Sequence, residues 1–315
     1  MLRLSILQSV NGAILKLNTN ENRFLTKCMN NLKTSNGIAE TKDTSELQDT
    51  TIFSDIDGDV HKQIKDKEAA LQKQQTDSKL STQKSISIFG SETVKDSGLQ
   101  YIKNNKDLKI PTVAYILSET MSPIVKAALE KWKKNMIDIY GEEHFKTRCK
   151  GLLDSSKLFY SYVQVMLSKK ESEIPSSIKP IYSSIKPLLN DIQIFHGIET
   201  NVVHPILRYK SIIDCIASYR GYTYLIDWKK SAKRKTSLAA TYDAPIQVAA
   251  YIGAINAFNK YSFKIDKGLI IVAYTSGEPA SIHELKDDAL EKAWGEWLNR
   301  LEQFHANCNK DSLNT

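Results

Sequence analysis

The chain has 315 residues, of which 25% are charged, with a net charge of +7 and an isoelectric point near 9.0. That length can hold one large domain or two small ones around a sizeable core, and the basic excess suits a polyanionic partner such as nucleic acid without requiring one. Cys28, Cys149, Cys215 and Cys308 form no CxxC and have no nearby histidine pair, which argues against a disulfide framework and a zinc site, and no run of eighteen apolar residues offers a membrane span.

Residues 1–34 open with MLRLSILQSVNGAILKLNTN, where Leu2, Leu4, Ile6, Leu7 and Val10 share a helical face and the first acid is Glu21. An amphipathic, acid-free start of this kind predicts a mitochondrial targeting segment. Residues 35–107 are rich in Lys, Asp, Ser, Thr and Gln, and every tryptophan, tyrosine and proline lies at or beyond Tyr101. Such a stretch buries too little apolar surface to offset chain entropy and is expected to be largely disordered. Within it Asp55–Asp59 imitates the start of a calcium loop, but the glycine is misplaced and Asp66 stands where a bidentate glutamate is needed.

The folded part is expected over 108–306, followed by a tail at 307–315. Ser122-Pro123 is an N-cap and N1 pair, opening a helix with Ile124, Ala128, Leu129, Trp132 and Met136 on one face, up to Gly141. A second long helix is predicted from Glu142 to about Leu167, and Pro175, Pro180 and Pro187 punctuate short pieces after it. Residues 206–219 are β-branched and aromatic, then come Arg220-Gly221 and Tyr222–Trp228, a hairpin signal. Asp243-Ala-Pro245 opens a helix to about Phe258, Lys267–Tyr274 is a buried-type strand, and Leu290 to Phe304 form a final amphipathic helix. The sum is an α/β sandwich.

The chemistry gathers on the hairpin. Asp214 interrupts an apolar strand, and burying a carboxylate there is costly unless a cation or hydrogen bonds compensate. Thirteen residues later Asp227 and Lys229 share a strand face, opposite Trp228. Paired through the Arg220-Gly221 turn, Asp214 and Asp227 come close enough to share a divalent ion, with Lys229 beside them to orient a water or offset developing charge. The plainer alternative is a polar hairpin edge with an Asp–Lys ion pair. Gln247 and Tyr251, four apart on the next helix, point to one neighbourhood. Between strand and helix, Lys229–Lys235 is a dense basic loop in which Lys230, Lys233, Arg234 and Lys235 suit phosphate contacts.

Asp214, then Asp227-Trp-Lys229, then Gln247-x-x-x-Tyr251 resembles the RecB-type branch of the PD-(D/E)XK nucleases, and within it a mitochondrial exonuclease group. Pro111-Thr-Val, Thr120-Met121, Gly268–Tyr274 and Trp294-x-x-Trp-Leu-x-Arg-Leu-Glu302 extend the likeness over roughly the C-terminal two thirds. The resemblance implies a restriction-endonuclease-like core, a mixed central sheet flanked by helices. It also implies an Mg2+- or Mn2+-dependent enzyme, a monomer of the mitochondrial matrix, alongside replication or repair proteins, that degrades single-stranded DNA from flaps or free ends. By position, Asp214, Asp227 and the Trp228 carbonyl would hold the ion, and Lys229 and Gln247 would serve catalysis. Lys230, Lys233, Arg234, Lys235 and Tyr251 would meet the nucleic acid, with Glu199 as a further acid upstream. One departure is visible. Where the family carries a His-Glu pair on the helix before the hairpin, this chain has Tyr160 and Ser161, neither a good magnesium ligand; His144 and Asp154 are other polar residues of that helix. A catalytically impaired protein that still binds single strands is the competing expectation.

Overall fold

The computed structural model describes residues 86–89, 110–168 and 173–313. The expected targeting segment, the calcium-loop imitation and most of the stretch expected to be disordered lie outside the described residues.

Helix α1 (Val113–Glu119) is capped by Thr112, whose hydroxyl accepts the Tyr115 N–H. Helix α2 (Pro123–Tyr140) starts at the anticipated Ser122-Pro123 pair, with Ser122 Oγ accepting the Val125 N–H. Gly141, at φ 85°, ends it and starts α3 (Glu142–Leu167). A 3-10 turn (Ser176–Ile178) leads into α4 (Lys179–Leu189). Pro187 falls in the last turn of α4, and the proline-rich segment is made of short pieces as expected, a 3-10 turn of three residues and a helix of 11.

Five strands follow the order β1 (Ile192–His204), β2 (Tyr209–Tyr219), β3 (Tyr222–Ser231), β4 (Lys267–Tyr274) and β5 (Ser281–Lys286). β1/β2, β2/β3 and β4/β5 are antiparallel and β3/β4 parallel. The hairpin turns at Arg220 (φ 49°) and Gly221 (φ 86°), the two positive φ angles that a tight two-residue turn requires. The parallel step is made by α5 (Ala244–Phe258), and α6 (Asp287–Leu313) closes the fold. The mixed sheet with flanking helices is the α/β architecture anticipated from the sequence.

The sheet separates two cores. Leu225, Ile270, Val272 and Tyr274 pack on one face against α1, α5 and α6. Tyr224, Ile226, Trp228, Leu269 and Ile271 pack on the other against α2, α3 and α4. Every residue of α5 except Pro245 is buried, as an all-round apolar helix rich in alanine must be. Arg300 of α6 ties three elements together, donating to the Leu117 carbonyl, to Thr120 Oγ1 and to Asp243 at the head of α5. Residues 86–89 are an exception within the stretch expected to be largely disordered. Ile88 is buried in the α5–α6 core, its carbonyl accepts from Asn256, and the Ile86 carbonyl accepts Trp294 Nε1–H. No described helix is long and apolar enough to cross a membrane.

Candidate active site

The site forms where β2 and β3 part. Their ladder runs from Tyr219–Tyr222 to Cys215–Ile226 and stops, while β3 goes on pairing with β4 through Ser231–Tyr274. Asp214 and Asp227 are the next residues on the two strands. In place of a backbone partner, Trp228 N–H donates to Asp214 Oδ2 at 3.0 Å. The Trp228 carbonyl accepts the Tyr160 hydroxyl of α3 at 2.8 Å. The exposed peptide edge that splaying creates is thus closed by two side chains, as buried backbone groups demand.

Strand alternation sends Asp227 and Lys229 toward α5. Lys229 Nζ lies 2.8 Å from Asp227 Oδ2 and donates at 2.8 Å to Gln247 Oε1. Gln247 Nε2 in turn donates to the Tyr251 hydroxyl at 2.7 Å. All four side chains are buried, so the row Asp227–Lys229–Gln247–Tyr251 is held in a dry setting where each contact is strengthened. Its spacing of four on α5 is what brings Gln247 and Tyr251 into the same row.

On the α3 side a small pocket lined by Tyr160, Val163, Gln164, Leu167, Asp214 and Trp228 opens against the Asp214 carboxylate. Ile198 faces Cys215 and Thr200 faces Ile213, which leaves Glu199 across from Asp214. Glu199 sits at φ 46° and accepts a hydrogen bond from Gln164. It therefore lies opposite Asp214 on the neighbouring strand. Gln164 was not anticipated; its signal was the four-residue spacing from Tyr160 on one helix face.

The carboxylates are uncomfortable as charged groups. Burial, followed by the Asp227 charge, pushes Asp214 up to about 7 against the pull of Lys229 and the Trp228 N–H. Burial raises Asp227 as well, opposed by Lys229, and raises Glu199, opposed by Gln164. Asp227 Oδ1 is buried with no hydrogen-bond partner. Two adjoining carboxylates short of positive charge, one with an orphaned oxygen, fit a hard divalent cation, which binds through one or two carboxylates and completes its shell with water and phosphate oxygens. Among the described residues no group of three or more His, Cys, Asp or Glu side chains forms a ready cage, so such an ion would depend on those outside oxygens.

The remaining anticipated residues divide by burial. Lys233 and Arg234 are exposed. Lys230 is buried and donates to Ser155 Oγ on α3. Lys235 is buried over the Tyr242 ring, donates to the Tyr242 hydroxyl, and is lowered to about 8 by burial and by Lys233. Tyr251 is 1% exposed and has no face for a base to stack on. Ser161 Oγ turns back to the Leu158 carbonyl. His144 and Asp154 are exposed on α3, His144 stacked on Tyr140.

No protein-family model matches the chain. Three curated relatives carry the name mitochondrial genome maintenance exonuclease 1. Those of Mus musculus and Xenopus tropicalis are 38% identical over 198 residues, and that of Homo sapiens is 36% identical over 199. Each match covers 62% of this chain and 57–59% of the relative, so the chain spans less than three fifths of the length of these proteins. The resemblance drawn from the Asp214, Asp227-Trp-Lys229 and Gln247-x-x-x-Tyr251 motifs thus has its counterpart in sequence comparison, in which 62% of the chain is similar to proteins named mitochondrial genome maintenance exonuclease 1.

Proposed function

We propose that this protein is a metal-dependent exonuclease that hydrolyses single-stranded DNA from flaps or free ends in the mitochondrial matrix, in the maintenance of mitochondrial DNA. The observation that carries the proposal is the buried row Asp227–Lys229–Gln247–Tyr251 meeting Asp214 where β2 and β3 part. An ion-paired hairpin edge needs neither a second carboxylate set against the Trp228 N–H nor the orphaned Asp227 oxygen. The names of the relatives support the nuclease class and the compartment.

In this reading Asp214 and Asp227 hold Mg2+ or Mn2+. Such an ion, when bound, polarises a phosphate oxygen and acidifies a coordinated water. Lys229 brings a fixed positive charge to the same place, prevented from swinging away by Gln247, which Tyr251 holds in turn. Glu199 and Gln164 steady the acidic group from the β1 and α3 side. Lys233 and Arg234 contact the phosphate backbone, which favours any sequence equally. Residues 1–34 are assigned to targeting and 108–306 to the nuclease.

The test is end-labelled single-stranded DNA incubated with the full chain, with and without Mg2+, beside Lys229→Ala. Mg2+-dependent shortening that falls at least about 100-fold in the variant is the expected outcome. Tyr160 and Ser161 favour one other reading, a nuclease fold retained for binding single strands. Salt-sensitive binding with no shortening, equal in wild type and variant, would select it.

A further inference from the structure

Residues 86–89 meet the fold through two helices remote from them in sequence. Trp294 Nε1–H of α6 donates to the Ile86 carbonyl at 2.7 Å, and Asn256 Nδ2 of α5 donates to the Ile88 carbonyl at 3.2 Å. Ile88 is 4% exposed and packs in the core that α5 and α6 share, whereas Ile86, Ser87 and Phe89 are exposed. Backbone groups read by side-chain donors, with one apolar side chain in a pocket, is how a folded domain holds a separate peptide. Both donors are set in place by the domain. The Asn256 amide also donates to the Ile265 carbonyl and accepts the Ile265 N–H, each at 2.9 Å. The Trp294 ring stacks on His204 and fills the space over Gly253. The groove is therefore pre-formed, and little of it has to be ordered when the segment arrives.

We propose that the α5–α6 groove is a peptide-docking site whose occupant is this chain's own Ile86–Phe89, a tethered latch that engages and releases while the rest of the domain stays folded. One buried side chain and two hydrogen bonds hold a free peptide weakly, but a tether supplies an effective concentration in the millimolar range. Docking stands on these contacts alone and does not depend on the nuclease reading. Its bearing on the candidate site is through α5, the helix that carries Asn256 and Gly253 as well as Gln247 and Tyr251.

The test is thermal melting of full-length wild type and Ile88→Asp, each with and without about 1 mM of a synthetic peptide spanning residues 84–91. A carboxylate is not accepted in an apolar pocket, so the variant releases its own segment and is expected to melt at least about 3 °C lower. The peptide then fills the vacated groove in trans and restores about 1–3 °C, while wild type, already filled in cis, does not move. The same peptide carrying Ile88→Asp restores nothing. Amide exchange followed by mass spectrometry locates the binding: in the variant the peptide slows exchange in α5 and α6, and protection elsewhere instead would count against the groove. An unchanged melting temperature in Ile88→Asp, or equal stabilisation of wild type and variant, would overturn the proposal. So would a lower melting temperature that the peptide cannot raise, which would make residues 86–89 an integral part of the core. If Ile88→Asp does not fold, Ile88→Ala, which empties the pocket without adding a charge, is judged by the same outcomes.

Discussion

Asp214 is the residue at which the cost of the site can be measured. In the ion-free protein its carboxyl is raised to about 7, above the ordinary value of 3.8, first by burial and then by Asp227. A folded-state pKa above the unfolded one means that the native chain holds the extra proton between those values. The contribution of this group to stability is therefore full below about pH 4 and is lost as the pH rises through about 7. Asn in its place keeps an oxygen for the Trp228 N–H and never acquires the charge. In EDTA at pH 8, Asp214→Asn is expected to melt higher than wild type by at least about 2 °C, and the gap should close as the pH falls toward 4.5. On the proposed metal-dependent reading, added Mg2+ should raise the wild type alone, because the variant lacks one of the two proposed carboxylate ligands. A gap independent of pH in thermal melts would show that Asp214 carries no such charge penalty. Asp214, Asp227 and Lys229 were legible because charged residues in apolar strands break a pattern. The Tyr160–Trp228 and Gln164–Glu199 contacts were not, because each joins α3 to a distant strand and depends on how that helix lies across the sheet.

At the scale of elements, two helical glycines distinguish packing from propensity. Gly151 lies exposed in α3, and a Cβ there meets nothing within 4 Å. Gly151→Ala should gain about 0.5–1 kcal/mol from the lower entropy of the unfolded chain and the better helix former. Gly253 lies in α5 where α6 crosses it, and a Cβ there would collide with the Trp294 ring. The indole cannot simply swing away, because its Nε1–H is held by the Ile86 carbonyl and its ring stacks against His204. Overpacking of about 1–3 kcal/mol then outweighs the propensity gain, so Gly253→Ala should destabilise. Urea unfolding of the two variants should move in opposite directions; movement together would refute the close α5–α6 approach. The elements missed in the sequence were those whose pattern is weak. β1 contains polar Gln193, His196 and Asn201 and shifts register between Gln193 and Phe195 and again before Gly197, so no clean alternation survives. β5 is an edge strand of mixed polarity, and α1 spans only seven residues. The hairpin, α2, α3, α5 and β4 were legible from caps, turn residues and periodicity that are local to each.

Over the whole molecule, the layered arrangement follows from which faces are apolar, but the sorting of the basic loop follows only from the assembled fold. In the sequence, Lys230, Lys233, Arg234 and Lys235 form one run, and equal parts in phosphate binding could be given to each. The sheet turns alternate β3 side chains to opposite layers, so Lys230 goes into the α3 layer to Ser155. Lys235 folds under Tyr242 at the end of the loop. Of the four, Lys233 and Arg234 are the exposed ones. Binding of an oligothymidine, followed by anisotropy in EDTA across a range of NaCl, should therefore separate the four. Lys233→Ala and Arg234→Ala should each weaken binding and reduce the slope of log K against log salt by about 0.7, the release of one condensed counterion from a single strand. Lys230→Ala and Lys235→Ala should leave that slope in place and lower the melting temperature instead, because each removes a buried contact without removing an exposed charge. If the slope fell equally in all four, the phosphate path would have to run through the loop's interior, and the burial of Lys230 and Lys235 would have to open when DNA binds.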